Sequence, residues 1–175
     1  MKNWLHPKTV SGAIVRLPLR MIPKTKVMRI RSGSAQGMKW IVGSGIHGCW
    51  LGTYELEKQT LMHKYIKPGM TIYDIGANSG FYTLLFSSLV GQKGKVYSFE
   101  PLASNVDYLL KHGVLNDLKN TNIVQVALGD YCGPIGFTIR HDNYQNHTTH
   151  ISDTMLSVYQ TTLDAFLSDS DSRPP

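Results

Sequence analysis

An acid and two glycines separate a β-rich segment from a helical one at residues 71–83, which read Thr-Ile-Tyr-Asp-Ile-Gly-Ala-Asn-Ser-Gly-Phe-Tyr-Thr. Asp74 falls at the carboxyl end of the predicted strand, where open α/β sheets bind their ligands. Gly76 allows a backbone geometry that residues with side chains rarely adopt, and Gly80 lets either a ligand or the sheet approach the start of the helix. This order of residue types predicts a nucleotide-binding turn.

The spacing of the glycines indicates which nucleotide the turn binds. A dinucleotide-binding turn reads G-x-G-x-x-G and avoids a carboxylate aimed at the phosphates, whereas Gly76 and Gly80 are spaced G-x-x-x-G and follow an acid. A carboxylate suits a ligand with an ammonium or sulfonium charge, and S-adenosylmethionine carries both. The sequence therefore favours S-adenosylmethionine over NAD. Asn78 either hydrogen-bonds the methionine portion of the cofactor or accepts the left-handed geometry of the turn.

A second acid supports this prediction. Residues 95–101, Lys-Val-Tyr-Ser-Phe-Glu-Pro, are typical of the next strand, and Glu100 lies at its end, about twenty residues after Gly80. An acid in this position can accept hydrogen bonds from both ribose hydroxyls of a nucleotide.

The elements that must position these residues alternate along the chain. The 175 residues, 42% hydrophobic and 17% charged, are typical of one globular domain. Strands alternating with helices predict an α/β fold with a doubly wound, mostly parallel sheet. The predicted strands are 26–31, the segment ending at Asp74, 95–100, 122–128, 135–139 and 157–161. The predicted helices are 53–66 with Thr53 as N-cap, 81–91, 101–112 opened by Pro101, and one beginning at Leu163, while residues 39–52 are expected to form strand and turn.

Four motifs together resemble the FkbM-type methyltransferases, a family of class I enzymes that use S-adenosylmethionine. They are Asp-Ile-Gly-Ala-Asn-Ser-Gly-Phe-Tyr-Thr (74–83), Ser-Phe-Glu-Pro (98–101), Val-Ala-Leu-Gly-Asp (126–130) and Thr-Thr-Leu-Asp-Ala-Phe-Leu (161–167). The lead-in Gly-Cys-Trp-Leu-Gly-Thr-Tyr-Glu (48–55) is also similar, so the resemblance covers roughly residues 40–168. It implies a Rossmann-like class I methyltransferase fold.

The resemblance also implies roles for residues outside the glycine turn. Asp130, or the backbone beside it, would meet the adenine amino group, although a Gly-Asp pair is also an ordinary turn. Tyr54 and Glu55 precede the cofactor strand and are candidates to line the entrance for the methyl acceptor; as an alternative, Glu55 is an ordinary acid of an early helical turn. The acceptor implied is a hydroxyl of a glycan or of a secondary metabolite, and the reaction is O-methylation.

Three histidines, His141, His147 and His150, cluster in one polar segment. His147 is a candidate general base for the acceptor hydroxyl, with exposed loop histidines as the simpler alternative. Their spacing does not establish three convergent ligands, so no metal site is predicted. Two cysteines without C-x-x-C spacing, Cys49 and Cys132, suit a reducing compartment, and we expect a cytoplasmic location, with peripheral membrane contact as an option.

Positive charge is concentrated at the N-terminus. Of the 18 lysines and arginines, nine precede Glu55 and no acid does, whereas residues 55–175 carry nine basic and twelve acidic residues, a net charge of −3. Residues 1–38 are therefore expected to form a basic arm, residues 39–168 the methyltransferase domain and residues 169–175 a polar tail. Residues 2–39 could contact an anionic surface or be a solvated leader; nucleic acid is not expected, because aromatic residues are few there. No apolar run is long enough for a membrane span.

The end of the sequence departs from the family pattern. In that pattern the motif at 161–167 is followed by a strand with a Lys-x-Asp-x-Glu-Gly type motif, and residues 168–175 contain none. We therefore expect an incomplete sheet in which the strand of Asp74 lacks its outer neighbour. The alternative to an active enzyme is a catalytically inactive fragment or a cofactor-binding or interaction remnant.

Overall fold

A computed structural model describes residue 19, residues 21–140 and residues 153–168. The described strands are β1 (Val27–Arg29), β2 (Lys39–Ile41), β3 (Thr71–Ile75), β4 (Lys95–Phe99), β5 (Thr121–Val124), β6 (Ala127–Leu128), β7 (Gly133–Arg140) and β8 (Asp153–Thr161). The described α-helices are α1 (His47–Leu51), α2 (Leu56–Tyr65), α3 (Phe81–Val90), α4 (Ala103–Leu115) and α5 (Leu163–Ser168). None of the described helices combines the length and the apolar character that a membrane crossing needs.

The central sheet is parallel, as the alternation of strands and helices predicts. Its order is β3-β4-β5, with Asp74 opposite Ser98 and Ile75 opposite Phe99. Two parallel strands need a crossover connection, and α3 and α4 supply it between successive strands. The carboxyl ends of β3 and β4 therefore lie side by side at one edge of the sheet, where the predicted acids are found.

Helices cover both faces of this sheet. Because side chains alternate along a strand, Val96 and Ser98 of β4 face α3, and the Thr83 hydroxyl of α3 lies 3.0 Å from that of Ser98. Tyr97 and Phe99 point to the opposite face, where both rings pack edge-on against Phe166 of α5. The predicted helix at 81–91 and the helix predicted to begin at Leu163 are both confirmed.

The segment before the glycine turn builds half of the core. Ile30, Ala35, Trp40 and Trp50 are buried in one cluster with residues of α3 and with Val96. β1 and β2 pair antiparallel with Met28 opposite Trp40, so the predicted division between residues 38 and 39 falls within this hairpin.

Local structure in this segment differs from the prediction at two places. Residues 39–52, expected as strand and turn, contain only the short β2 and then a 3₁₀ turn and α1, whose last turn is closed by Gly52 in a left-handed conformation. Thr53 is not the cap of the following helix. Glu55 is, also in a left-handed conformation, and α2 begins at Leu56. Similarly, α4 begins at Ala103 rather than at Pro101.

The last strands form a separate sheet of order β6-β8-β7. β7 and β8 pair antiparallel, from Gly133 opposite Gln160 to Arg140 opposite Asp153, a direction that the sequence patterns did not indicate for these later strands. The strand predicted at 122–128 is also divided, since the Val126 amide donates to the Val124 carbonyl and the chain leaves β5 for β6 there. Only β6 and β8 are parallel within this second sheet.

β3 lies at the edge of the central sheet as far as the described residues show. β4 pairs with one side of it, and no described strand pairs with the other. Ile75, the last residue of β3, has 59% of its surface exposed, although the strand carries the buried Asp74.

The packing of α3 against α4 provides a test of this architecture. Gly80, at φ 93°, begins α3 so close to α4 that a Cβ there would overlap Leu109 Cδ1, which is fully buried. We expect Gly80→Ala to lower the free energy of unfolding by about 2–4 kcal/mol, because overpacking adds to the strain of a left-handed backbone. Urea denaturation measures this change.

Gly69→Ala is the matched control. Gly69 has a similar φ of 87°, but no described atom lies within 4 Å of the position of its Cβ. Its substitution should lower the free energy of unfolding by the backbone strain alone, about 1–2 kcal/mol. Equal losses in the two variants would show that the approach of α4 to Gly80 adds nothing to stability.

Candidate cofactor site

The turn between β3 and α3 is held against the end of β4. The amides of Gly76 and Ala77 both donate to the Phe99 carbonyl, at 2.9 and 3.0 Å, and the Gly80 amide donates to the Ala77 carbonyl. Gly76 and Gly80 have φ of 76° and 93° and Asn78 has φ of 51°. The left-handed geometry predicted as one of two roles for Asn78 is therefore present, and its side-chain oxygen accepts the Ser79 amide at 2.7 Å.

The two glycines serve different purposes. No described atom lies within 4 Å of a Cβ placed on Gly76, so this glycine faces open space at the edge of the sheet. A Cβ on Gly80 would meet Leu109 of α4 instead. The sequence predicted that Gly80 allows a ligand or the sheet to approach the start of the helix, whereas the described element beside it is the helix α4.

Glu100 is buried, with 4% of its surface exposed, and three donors reach it. The Asn78 amide donates to Oε2 at 2.8 Å, while the Leu102 amide and Asn105 Nδ2 donate to Oε1 at 3.0 and 3.1 Å. The carboxylate is thus fixed between the turn and the start of α4. Oε1 already accepts two of these donors, whereas Oε2 accepts one and keeps room for a further hydrogen bond, such as one from a ribose hydroxyl.

Asp74 is buried as well, at 7% exposure, but only one described group donates to it. Thr83 Oγ1 lies 2.6 Å from Oδ2, and Oδ1 accepts from no described residue. Neither Asp74 nor Glu100 has a lysine or arginine partner among the described ion pairs. The edge of the sheet therefore carries two adjacent acids and lacks a described cation.

The pKa of Asp74 reflects this environment. Burial, with a smaller contribution from the negative charge of Glu100, raises the pKa of Asp74 from 3.8 to about 6, and the hydrogen bond from Thr83 opposes the rise. A cationic group placed beside Asp74 would favour its ionised form and bring this pKa down.

A second polar group lies beside the turn on α3. The Tyr82 hydroxyl donates to Glu55 Oε2 at 2.5 Å, and Lys58 Nζ donates to Oε1 at 2.7 Å. The Tyr54 ring packs edge-on against Phe81 and lies at 6.1 Å from the ring of Tyr82. The structure thus brings the two predicted acceptor-side residues, Tyr54 and Glu55, to the first turn of the helix that follows the glycines.

The charges of this group are set by their neighbours. The hydrogen bond from Lys58, followed by that from Tyr82, lowers the pKa of Glu55, so its carboxylate stays ionised at neutral pH. Burial and then the Glu55 carboxylate raise the pKa of the Tyr82 hydroxyl, so it stays protonated. The charge of Asp74 contributes a smaller rise to the pKa of Tyr82. Both side chains can bind a ligand hydroxyl, but neither is suited to remove its proton.

No sequence motif pointed to a role for Tyr82, Thr83 or Ser98. Tyr82 and Thr83 read as ordinary residues of an apolar helix, and Ser98 as a residue of a buried strand. The available signal was a hydroxyl-bearing residue among the apolar residues of each element, since a buried hydroxyl needs a partner. Thr83 and Ser98 are 0% exposed and hydrogen-bond each other beneath Asp74.

One predicted site residue lies apart from this group, and another falls outside the described residues. Asp130 is exposed after β6, and no hydrogen bond or ion pair links it to Asp74 or Glu100 among the described residues. His147, together with His141 and His150, falls in residues 141–152, outside the described residues. In the described part of the chain, no group of three histidine, cysteine or acidic residues is arranged to hold a metal ion.

Comparison with known families decides what kind of domain carries this site. The model of the methyltransferase FkbM domain matches residues 74–174, more than half of the chain, and the match begins at Asp74 itself. This chain belongs to the FkbM methyltransferase family. The predictions of an FkbM-type methyltransferase domain and of S-adenosylmethionine as its cofactor are confirmed. No curated protein matches the sequence of the chain.

Several solved structures are similar to part of this chain. A SAM-dependent methyltransferase from Aquifex aeolicus is 34% identical over 39% of this chain and 36% of its own, with a TM-score of 0.36. A SAM-dependent O-methyltransferase from Thermotoga maritima is 21% identical over 39% of this chain and 27% of its own (TM-score 0.37). Fibrillarin from Aeropyrum pernix, solved with natively bound S-adenosyl-L-methionine, is 22% identical over 35% of this chain and 26% of its own (TM-score 0.33). The chain thus spans well under half the length of these proteins.

The residues of the turn fit this cofactor chemically. Gly76 leaves open space at the sheet edge, and Asp74 has a carboxylate oxygen that accepts from no described residue. Glu100 is held rigidly by three donors and keeps acceptor capacity. A ligand with ribose hydroxyls and a positively charged end matches this set of acceptors.

The raised pKa of Asp74 predicts how stability depends on pH. Because the folded-state pKa of about 6 exceeds the unfolded-state value near 3.8, Asp74 destabilises the fold progressively as the pH rises from 4 through 6. Asp74→Asn removes this effect and keeps an acceptor for Thr83. We expect the variant to be more stable than the wild type at pH 8 by about 1–3 kcal/mol, with a smaller difference at pH 5.

Urea unfolding of both proteins at pH 5 and pH 8, without cofactor, measures this difference. His112, whose pKa is lowered to about 4 by burial, titrates in the opposite sense but is present in both proteins, so its contribution cancels. A difference in stability that does not grow with pH would contradict the assignment of a buried, unpaired carboxylate to Asp74.

Proposed function

We propose that this chain binds S-adenosylmethionine at the β3–α3 turn and transfers its methyl group to a hydroxyl of a glycan or of a secondary metabolite. The observation that carries the proposal is the pair of buried carboxylates, Asp74 and Glu100, at adjacent strand ends without a described cation. Asp74 would pair with the charged methionine end, and Glu100 would bind the ribose hydroxyls. Gly76 and Asn78 would shape the turn around the cofactor, Gly80 would position the helix behind it, and Asp130 would approach the adenine.

The reaction itself places few demands on side-chain chemistry. The cofactor supplies an activated methyl group, and transfer needs an acceptor oxygen held in line with it. The contribution of the chain is therefore to orient both molecules and to exclude water. Asp74 and Glu100 would orient the cofactor from one side, while residues around the first turn of α3 would orient the acceptor.

Tyr54, Glu55 and Tyr82 support a hydroxyl-bearing acceptor. A sugar can stack on the two tyrosine rings, and its hydroxyls can donate hydrogen bonds to the ionised Glu55 carboxylate. Since neither Glu55 nor Tyr82 takes up a proton at neutral pH, a separate base would be needed, and His147 stays the candidate.

Calorimetry with two ligands tests the roles of the two acids. For Asp74→Asn we expect the affinity for S-adenosylmethionine to fall about ten- to hundredfold, because a charged hydrogen bond is lost, while the affinity for adenosine stays unchanged. Glu100→Gln should weaken binding of both ligands, since both contain the ribose. Glu57→Gln, an exposed acid of α2, is the control and should alter neither.

The pH dependence of binding gives an independent readout. Because Asp74 must ionise to pair with a cation, wild-type affinity for S-adenosylmethionine should rise as the pH rises through about 6 and stay flat for adenosine. Equal effects of Asp74→Asn on both ligands would contradict its role at the methionine end.

Transfer of a labelled methyl group to a panel of saccharides and small hydroxylated metabolites tests the acceptor. Tyr54→Ala and Glu55→Gln should lower kcat/KM for the acceptor at least tenfold while the Kd for S-adenosylmethionine stays within twofold, because they would contact only the acceptor. Loss of cofactor affinity in both variants would instead place these residues at the cofactor. His147→Gln should lower kcat and leave both affinities unchanged.

One observation favours the alternative of a catalytically inactive remnant that binds the cofactor weakly or acts as an interaction module. The strand that carries Asp74 has no described neighbour on its outer side, and Ile75 is exposed there. An unsupported strand would leave Asp74 and the turn free to move. If the folded wild type gave no heat with S-adenosylmethionine, this alternative would replace the enzyme.

A basic surface supports a peripheral role at an anionic membrane face or lipid-linked glycan, with a cytoplasmic location. Lys24, Lys26, Arg29 and Arg31 are exposed, and none is paired with a carboxylate among the described residues. Charges of one sign attract an anionic surface in a salt-dependent manner.

Sedimentation with phosphatidylglycerol vesicles tests this contact. Lys26→Glu combined with Arg31→Glu should reduce binding at low salt at least tenfold, because two positive charges are replaced by two negative ones and the net charge falls by four units. Lys93→Glu combined with Lys119→Glu changes the net charge equally outside the basic surface. Equal losses in the two double variants would show that net charge alone governs binding and would reject a specific surface.

A further inference from the structure

His112 lies where three parts of the molecule meet. It belongs to α4, is 0% exposed, and its ring stacks on that of Trp40 of β2 at 4.1 Å between centroids and 16° between planes. Its two nitrogens reach in opposite directions, one to the cofactor turn and the other to the N-terminal hairpin β1–β2.

The hydrogen bonds of His112 determine its protonation. Nε2 lies 3.0 Å from the Ile41 amide, which can only donate, so Nε2 must be the unprotonated acceptor. Nδ1 lies 2.7 Å from the Ser79 carbonyl, which can only accept, so Nδ1 must carry the proton. The neutral ring therefore joins two backbone groups that lie 33 and 71 positions from it in the sequence.

Ser79 is part of the turn to which the cofactor is assigned. The other supports of this turn come from the end of β4: the Phe99 carbonyl holds the amides of Gly76 and Ala77, and Glu100 holds that of Asn78. His112 holds the carbonyl side of the same turn from α4. The amide of Asn78 can meet Glu100 only while the turn keeps this position between strand and helix.

The hairpin side is held just as firmly. Asn116, one helical turn after His112, accepts the Lys39 amide at 2.7 Å and donates to the Lys39 carbonyl at 2.9 Å. His112 and Asn116 thus satisfy the backbone of β2 as a neighbouring strand would. The hairpin and the cofactor turn have no shared strand, yet one imidazole bonds to both.

We propose that His112 is a positioning residue for the cofactor turn and that it links docking of the β1–β2 hairpin to the affinity for the cofactor. This rests on the cofactor site proposed above. Linkage is reciprocal: if a docked hairpin strengthens cofactor binding, the cofactor must stabilise the docked hairpin by the same factor.

Two substitutions separate the two bonds of the ring. In His112→Asn, the side-chain Nδ2 occupies the place of Nδ1 and can still donate to the Ser79 carbonyl, but the Ile41 amide loses its acceptor. In His112→Gln, Oε1 occupies the place of Nε2 and can still accept from Ile41, but Ser79 loses its donor. Both variants lose the stacking on Trp40, so both should be less stable than the wild type.

The test compares these variants with S-adenosylmethionine by calorimetry, at a temperature where both are folded. We expect His112→Gln to weaken cofactor affinity roughly fivefold or more, the effect of one lost hydrogen bond, and His112→Asn to weaken it less than that. Amide hydrogen exchange without cofactor should be faster at residues 77–80 in His112→Gln than in His112→Asn, with the reverse order at residues 40–42.

Two outcomes would overturn the proposal. One is that the cofactor affinity and the amide hydrogen exchange at residues 77–80 change equally in the two variants, which would mean that His112 acts through general stability alone. The other concerns the wild type and needs no variant: if saturating S-adenosylmethionine binds but leaves exchange at residues 40–42 unchanged, the hairpin is not linked to the cofactor.

The exchange measurement also separates this proposal from the proposed function. If the wild type does not bind S-adenosylmethionine, the cofactor proposal fails, but the opposite exchange patterns of the two variants would still establish that His112 positions the turn. Asn116→Ala is the matched control, since it loosens β2 at Lys39 without touching Ser79, and it should speed exchange at residues 39–42 more than at residues 77–80.

Discussion

The structure depends on keeping two carboxylates buried at adjacent ends of a parallel sheet. Asp74 and Glu100 lie at most 7% exposed, and no described lysine or arginine pairs with either. Such charges persist only where hydrogen bonds replace the lost water. Glu100 accepts from three donors, so its carboxylate is rigidly held. Asp74 accepts only from Thr83 among the described residues, so its ionised form is less well stabilised. Burying two carboxylates in this way lowers the stability of the fold, and it creates a site that favours a cationic ligand.

The stability that offsets this site comes from the segment that precedes it. Ile30, Trp40 and Trp50 pack with α3, the helix that the glycine turn begins. The FkbM match starts only at Asp74, yet the turn is supported by residues tens of positions earlier, through the core and through His112. The hairpin, which the sequence presents as part of a basic arm, is therefore a component of the domain that holds the cofactor turn.

Prediction from sequence succeeded where local chemistry and tertiary packing agree. The order acid, glycine, glycine, apolar helix placed β3, the turn and α3, because positive φ and helical periodicity are properties of a few neighbouring residues. It was incomplete at residues 39–52, where it missed α1, and at residues 122–128, where one predicted strand is divided into β5 and β6. The strands there depend on distant partners: Asn116 bonds to the backbone of β2, and β8 pairs with β6. The sequence likewise predicted strands at 135–139 and 157–161 but not their antiparallel pairing.

The sequence by itself determined the family, the glycine turn and the positions of Asp74 and Glu100 at strand ends, because these depend on residue type and short spacing. The tertiary structure alone decided which groups act on that turn. Gly80 faces Leu109 rather than open space, Tyr82 donates to Glu55, and His112 joins Ser79 to Ile41. Each of these contacts joins residues 27 to 71 positions apart. Their formation requires helices to pack at one distance and rotation, and no local pattern encodes that geometry.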